Sequence, residues 1–319
     1  MISNIGYNNN FKKNIMKNLV LSMLAIASIS VLSSCSNESD VIDEVTGGNQ
    51  DKVEIKVAAG VLKAETKAPV DGTDPAEVSI LRKDGTDTWG STPIKVNITA
   101  NTNDLFSGSP QYYETDATKN AFFIGFYPGT ASGTTVTFTD QDGKQDVLLS
   151  NELNAGNRTT PATSPTLTFK HKLSLIKFTF IKGASFPADD QVTSVTLKGA
   201  DVPATMSLAD GSFTWANKAT AGISAFTSGT YNIVENNTTT INNEDALMIQ
   251  PGEPITLDIT TKNNGNFTVD NVKIGTTDGQ VTEAGKQYNI KLTFSKKSVS
   301  ATATIEGWGE AIDGSGTAE

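Results

Sequence analysis

The sequence predicts an all-β protein, and three observations carry that expectation. Apolar and polar residues alternate in short runs along most of the chain, and Gly, Asp, Asn and Pro separate the runs. The 319 residues include 42 Thr and 26 Ser but few Lys, Arg and Glu, a composition that suits half-exposed strands and turns better than helices. After residue 34 no segment keeps a 3.6-residue pattern over a useful length.

The continuous apolar stretch comes first. Lys12, Lys13 and Lys17 precede Leu19 to Leu32, 14 residues without a charge. That is shorter than the roughly 20 residues of a membrane-spanning helix and matches the apolar core of a signal peptide. It ends in Leu32-Ser33-Ser34-Cys35, which resembles the bacterial lipobox, where small residues enter a peptidase cleft and the Cys becomes the lipidated first residue. Cys35 is the single cysteine of the chain. Residues 1–34 are therefore expected to form a signal peptide, with Met16 as good a start as Met1. Cys35 is expected to carry a lipid that anchors without spanning; the alternative is an ordinary secretory signal with an incidental Cys. Residues 35–50 are polar and acidic without periodicity and read as a flexible tether. The early acidic residues of that tether resemble the surface-export tags of Bacteroidetes lipoproteins.

Strand patterns fill the rest. Val53, Ile55, Val57 and Ala59 form the first stripe, Ile94, Val96 and Ile98 the next, and Phe122, Ile124 and Phe126 a third that stops at Pro128-Gly129. Val136 and Phe138, Val147 and Leu149, then Leu167 and Phe169 follow. From Leu173 a second series begins, in which Leu175-Ile176 breaks the phase before Phe178 and Phe180. That break implies a bulge or a strand buried on both faces. Val195 and Leu197, Tyr231 and Ile233, and Ile255, Leu257 and Ile259 come next. Tyr288, Ile290, Leu292 and Phe294, then Val299, Ala301, Ala303 and Ile305 across Ser295–Ser298, read as a hairpin with both arms alternating.

Many short antiparallel strands imply packed β-sandwiches. One large sandwich is possible, but two of ordinary size fit better, with the Thr/Pro-rich stretch from Asn157 to Pro165 as the seam. The expected domains are 51–170 and 171–319. From Cys35 onward 22 Lys+Arg face 35 Asp+Glu, a net charge of −13, which argues against nucleic acid. One Cys and one His remove most metal and thiol chemistry, and no cofactor is expected.

Several strings now stand in order: the lipobox, VEIKVAAGVLKAETKAPV, FFIGFYPG, GKQDVLLS, LTFKHKLSLIKFTF, AGKQYNIKLTFSKKSVSATATI and a closing EGWGE. Together they resemble the fimbrillin family of Bacteroidetes, the Mfa-like and type V pilus proteins. The resemblance implies two transthyretin-like antiparallel β-sandwich domains after a lipoprotein signal peptide. It implies a stalk, tip or anchor subunit of a surface pilus at the cell outer membrane, with other pilus subunits, its own kind or related fimbrillins, as partners. Host or bacterial surface ligands are further partners it allows. It also implies a protease cut in the loop after the first strand, commonly at Thr-Arg-Ala. Here the matching place is Thr66-Lys67-Ala68, so the candidate bond is Lys67-Ala68, with Lys where an Arg-specific protease needs Arg.

Physics gives the cut a consequence. Losing residues 35–67 would take the strand around Val53–Ala59 out of a sheet and leave unpaired backbone groups and empty side-chain pockets. A neighbour's strand could repair it by β-strand addition. The candidate donor is the terminal stretch of Ser298, Val299, Ala301, Ala303 and Ile305, whose other reading is a permanent hairpin arm. The short tail after it fits a tip or anchor at least as well as a stalk.

No residues single out a catalytic site. His171, the one histidine, opens a strand at the proposed seam and reads as structural or interfacial. Asp140, Asp142 and Asp146 surround Gly143 like the start of a calcium loop but lack its closing Glu, so a hairpin turn is expected there. Trp89, Trp215 and Trp308 could stack on sugar rings, which leaves a monomeric glycan-binding surface lipoprotein as the alternative function. More often such residues complete a core.

Overall fold

Alternation becomes strands throughout the computed structural model, which describes residues 52–61, 76–183, 185–226, 230–233, 238–240, 246–274, 281–296, 298–307 and 311–312. Among these residues there is no helix. A seven-stranded sheet runs in the order β2 (Ala58–Val61), β11 (Thr166–His171), β9 (Leu148–Ser150), β6 (Ala121–Tyr127), β3 (Ala76–Asp84) and β4 (Ile94–Ile98), with β10 (Leu153–Asn154) beside β6. A two-stranded ribbon joins β1 (Glu54–Ile55) to β5 (Gln111–Tyr112). Ile55, Val57, Ala59 and Val61 from the first strands, Ile80, Ile98, Phe106, Phe123, Leu167 and Phe169 build the apolar cluster of this half.

Two sheets enclose the cluster of the second half. One has six strands, β18 (Thr238–Thr240), β12 (Ser174–Lys182), β22 (Lys286–Phe294), β23 (Val299–Gly307) and β24 (Ala311–Ile312), with β19 (Leu247–Ile249) beside β12. The other has five, β16 (Ile223–Ser224), β13 (Gln191–Lys198), β20 (Thr256–Thr261) and β21 (Gly265–Val269), with β17 (Tyr231–Asn232) beside β13. Inward residues of both, among them Phe178 and Phe180, Val195 and Leu197, Leu257 and Ile259, and Ile290 and Leu292, share one core, the arrangement of a β-sandwich.

A third cluster and a further sheet cross residue 170. In a four-stranded sheet, β15 (Phe213–Ala216) and β14 (Val202–Ser207) continue into β8 (Thr135–Thr137) and β7 (Thr130–Ser132). Leu81, Ile124, Phe126, Val136 and Phe138 pack there with Leu173, Leu175, Met206 and Met248. This explains the phase break in β12: Leu175 enters this cluster while Ile176, Phe178 and Phe180 enter the sandwich core, so the strand is buried on both faces. Strand β6 behaves alike. Alternation picks out Phe122, Ile124 and Phe126, but Phe123 is the fully buried residue on the opposite face. All these residues lie in one compact unit, Asn49–Glu319.

Strand pairing is mostly antiparallel, with two parallel ladders among the described residues. β2 runs parallel to β11, and β12 runs parallel to β22 over eight residue pairs from Leu175↔Gln287 to Lys182↔Phe294. The hairpin expected near the C-terminus is present, with β22 and β23 in register from Lys286↔Gly307 to Phe294↔Val299. Its turn is closed by Ser295 N–H donating to Ser298 O at 2.8 Å.

Tyr288 on β22 is 1% exposed, and its Oη accepts from the Glu283 N–H at 2.7 Å. Burial pushes its phenol up from 10.0 to about 12, against a smaller lowering by that N–H. Because the unfolded phenol ionises first, the folded state loses stability as pH rises from about 10 to about 12. The Tyr288→Phe protein should therefore show a smaller drop in urea midpoint between pH 9.5 and pH 11.5 than the parent chain.

Candidate assembly site

The first strands are held from both sides. On one side β2 pairs with β11 at Thr166↔Ala58, Leu167↔Ala59, Thr168↔Gly60 and Phe169↔Val61, and Ala58 N–H donates to Pro165 O at 2.9 Å. On the other side the connection between β4 and β5 runs antiparallel to them. Thr102 and Ala59 exchange both backbone bonds at 2.7 Å, Leu105 N–H donates to Val57 O at 2.7 Å, and Tyr113 N–H donates to Val53 O at 2.9 Å. Tyr113 fixes this wall from behind, its Oη donating to Ala155 O at 2.7 Å.

Between those walls every second side chain fills the core. Ile55 and Val57 are 0% exposed, Ala59 3% and Val61 4%. At about 25 cal/mol per Å² of buried apolar surface, such a stripe holds the strand mainly by hydrophobic burial, with the ladder setting register. The outward Lys56 bonds Glu54 at 2.7 Å and Asp104 at 2.8 Å, and these hydrogen bonds, Asp104 first, hold its ammonium above the usual range. Being exposed, this pair adds little to stability.

Gly60 marks the tightest approach. A Cβ built there would stand 2.8 Å from the backbone oxygen of Ala100, closer than real Cβ atoms come, and a carbonyl in the wall cannot swing aside as a side-chain tip can. Thr99 N–H donates to Thr102 Oγ1 at 3.0 Å and so fixes the short turn carrying Ala100. Reading by alternation missed this wall, because residues 99–113 contain no stripe. The one sequence signal for the close approach was the Gly inside VAAGV.

The terminal stretch lies in the hairpin. Val299, Ala301, Ala303 and Ile305 share one face, with Ala301 and Ala303 each 1% exposed in the sandwich core. Strand β23 pairs with β22 on one edge; on the other it meets β24 and, at Ala303, Ile274. Ser298 closes the turn with Ser295. Cys35, Lys67, Ala68 and Trp308 lie outside the described residues.

The remaining singled-out residues are built into the framework. His171 Nδ1 and Asp146 Oδ2 are 2.9 Å apart, with both residues buried, and Asp146 Oδ1 accepts the Val147 N–H at 2.8 Å. The pair links the end of β11 to the segment entering β9. Asp146 thus turns inward, while Asp142 caps the Lys144 N–H at 2.9 Å and Asp140 meets Gln145 at 3.4 Å, so the three carboxylates diverge. Among the described residues no group of three acidic, His or Cys side chains gathers at metal-binding distance. Trp89 has Lys83 Nζ 4.4 Å above its ring, and Trp215 stacks on Phe213 at 4.8 Å and 18°. Both are half-buried against the third cluster, which takes up ring surface that a sugar would need.

Comparison with known proteins gives the same reading of the fold. Solved structures similar to this chain include a proposed cell adhesion protein from Bacteroides uniformis, 18% identical with a TM-score of 0.53, covering 82% of this chain and 100% of that one. Another, from Bacteroides ovatus, is 15% identical with a TM-score of 0.53, covering 81% of this chain and 99% of that one. Among curated proteins none matches. A sequence model described as fimbrillin-like matches residues 62–308, which begins just after β2 and runs through the terminal hairpin. The chain belongs to the fimbrillin-like family, and with it to structural proteins rather than enzymes.

Proposed function

We propose that this chain is a structural or adhesive subunit of a surface fimbrium, assembled by β-strand addition from a lipid-anchored precursor. The observation that carries the reading is the first strand, clamped between β11 and the wall at 102–113 with four consecutive inward side chains buried. A cut at Lys67-Ala68 would sever that strand from the rest of the chain while leaving both walls attached to it. The groove would then present main-chain donors and acceptors on two sides and pockets at alternate positions, the requirements for capturing another strand.

In this reading Cys35 carries the lipid, residues 1–34 are removed, residues 35–50 are the tether, and the precursor sits at the outer membrane. The chain divides into sandwich domains at 51–170 and 171–319 that share the third cluster. The terminal stretch Ser298–Ile305 is the strand offered to a neighbour. To reach one it must leave β22, so donation exchanges one full ladder for another rather than adding free energy outright.

Co-sedimentation tests the role. Filaments sheared from cells that make the chain should carry it together with other fimbrial subunits, and Cys35→Ser should move the protein from the membrane to the medium. Recovery only as a monomer in the membrane fraction, with no filament association, would contradict the proposal.

A further inference from the structure

The strand-addition reading leaves open whether the acceptor groove takes the same chain's C-terminal arm or a strand of another subunit. The two sequences can be laid against each other. Residues 53–62, which contain the resident strand, read Val53-Glu-Ile55-Lys-Val57-Ala-Ala59-Gly60-Val61-Leu62, and residues 297–306, which contain the arm, read Lys297-Ser-Val299-Ser-Ala301-Thr-Ala303-Thr304-Ile305-Glu306. In this alignment the four buried inward positions are each matched by an apolar residue, Val299 on Ile55, Ala301 on Val57, Ala303 on Ala59 and Ile305 on Val61, while Lys297 falls on the half-buried Val53 at the end of the stripe.

The clash with backbone is at one position. Thr304 falls where Gly60 sits, and there even a methyl group would meet the Ala100 carbonyl at 2.8 Å. A β-branched residue adds two further heavy atoms on that carbon. Shifting the arm by two residues does not help, because Thr302 or Glu306 then stands at the glycine position, and a four-residue shift brings Ser300 there. A shift that brings Gly307 there turns Thr302, Thr304 and Glu306 into the apolar pockets, which carries a desolvation cost. In its own hairpin Thr304 has no such conflict, being opposite Asn289 with its Oγ1 donating to Asn289 O at 3.4 Å.

We infer that the groove occupied by β2 rejects this chain's own C-terminal arm and accepts a strand from a different subunit, one with glycine between a small inward residue and a second inward apolar residue. Thr304 is the residue that prevents self-donation. The inference rests on the strand-addition reading, and it makes the chain a partner in mixed assemblies rather than a homopolymer former.

Peptide exchange tests it. The full chain, with a specific protease sequence inserted between Lys67 and Ala68, is cut and then mixed with labelled ten-residue peptides in urea below the unfolding midpoint. The peptide 53–62 should exchange into the protein. Its Gly60→Thr version and the peptide 297–306 should bind at least about tenfold more weakly, and Thr304→Gly in the latter should restore binding. Equal binding of peptide 297–306 and peptide 53–62 would overturn the selectivity while leaving strand addition standing. So would a tolerated Gly60→Thr, or a Thr304→Gly peptide that stays weak. Failure of peptide 53–62 itself to exchange would overturn strand addition at this groove, and the selectivity with it.

Discussion

Phe169→Ala is expected to lower stability by about 3–5 kcal/mol, the range for deleting a fully buried aromatic ring. Phe169 is 0% exposed in β11, opposite Val61 of the first strand, and its ring lies over Gly125 of β6. A Cβ at residue 125 would stand 2.7 Å from Phe169 Cε1 and 2.8 Å from Ile80 Cδ1, with Phe169 Cζ nearer still. The glycine is there because two large side chains occupy the space its own would need. Gly125→Ala should therefore cost about 1–3 kcal/mol by overpacking. Combined with Phe169→Ala, the added methyl enters the cavity the ring leaves, so the double variant should be more stable than the sum of the single losses implies. Urea midpoints of the four proteins give the coupling, and additivity within about 0.5 kcal/mol would show that the two residues do not share the space.

The second large effect concerns the first strand. With the chain cut between residues 62 and 75, the strand is retained by its pairing and by its buried stripe alone. Ile55→Ala removes a side chain that is 0% exposed at one end of that stripe. At about 2–5 kcal/mol for a buried Ile→Ala change, the cut strand should dissociate with a constant roughly 30- to 5,000-fold larger. Lys56→Ala, one residue away, removes only exposed ion pairs and should change retention little. Release measured by size exclusion after cutting distinguishes the two. Similar release from both variants would mean that burial is not what holds the strand.

Alternation in the sequence carried the first strand and the terminal hairpin, because each sets apolar residues on one face against polar ones on the other and needs no partner to be recognised. It also carried the anomaly in β12, where consecutive Leu175 and Ile176 serve two different cores. Three features were not legible there. The wall formed by Thr102, Leu105 and Tyr113 pairs through main-chain groups whose side chains follow no period. The parallel pairing of β2 with β11 joins residues more than 100 positions apart, and the pairing of Met206 with Val136 joins strands from either side of residue 170. Such contacts depend on how the chain returns, which local pattern does not encode. Gly60 and Gly125 look alike in sequence, yet one yields to a carbonyl and the other to an aromatic ring.

In the proposed assembly this chain gives up its first strand and joins other subunits through the vacated groove. The N-terminal residue and the size distribution of the protein sheared from intact cells test that most directly. Ala68 is expected at the N-terminus, with a ladder that survives detergent, disappears on boiling and contains other fimbrial subunits. Lipid-modified Cys35 at the N-terminus of a protein found only as a monomer would contradict it.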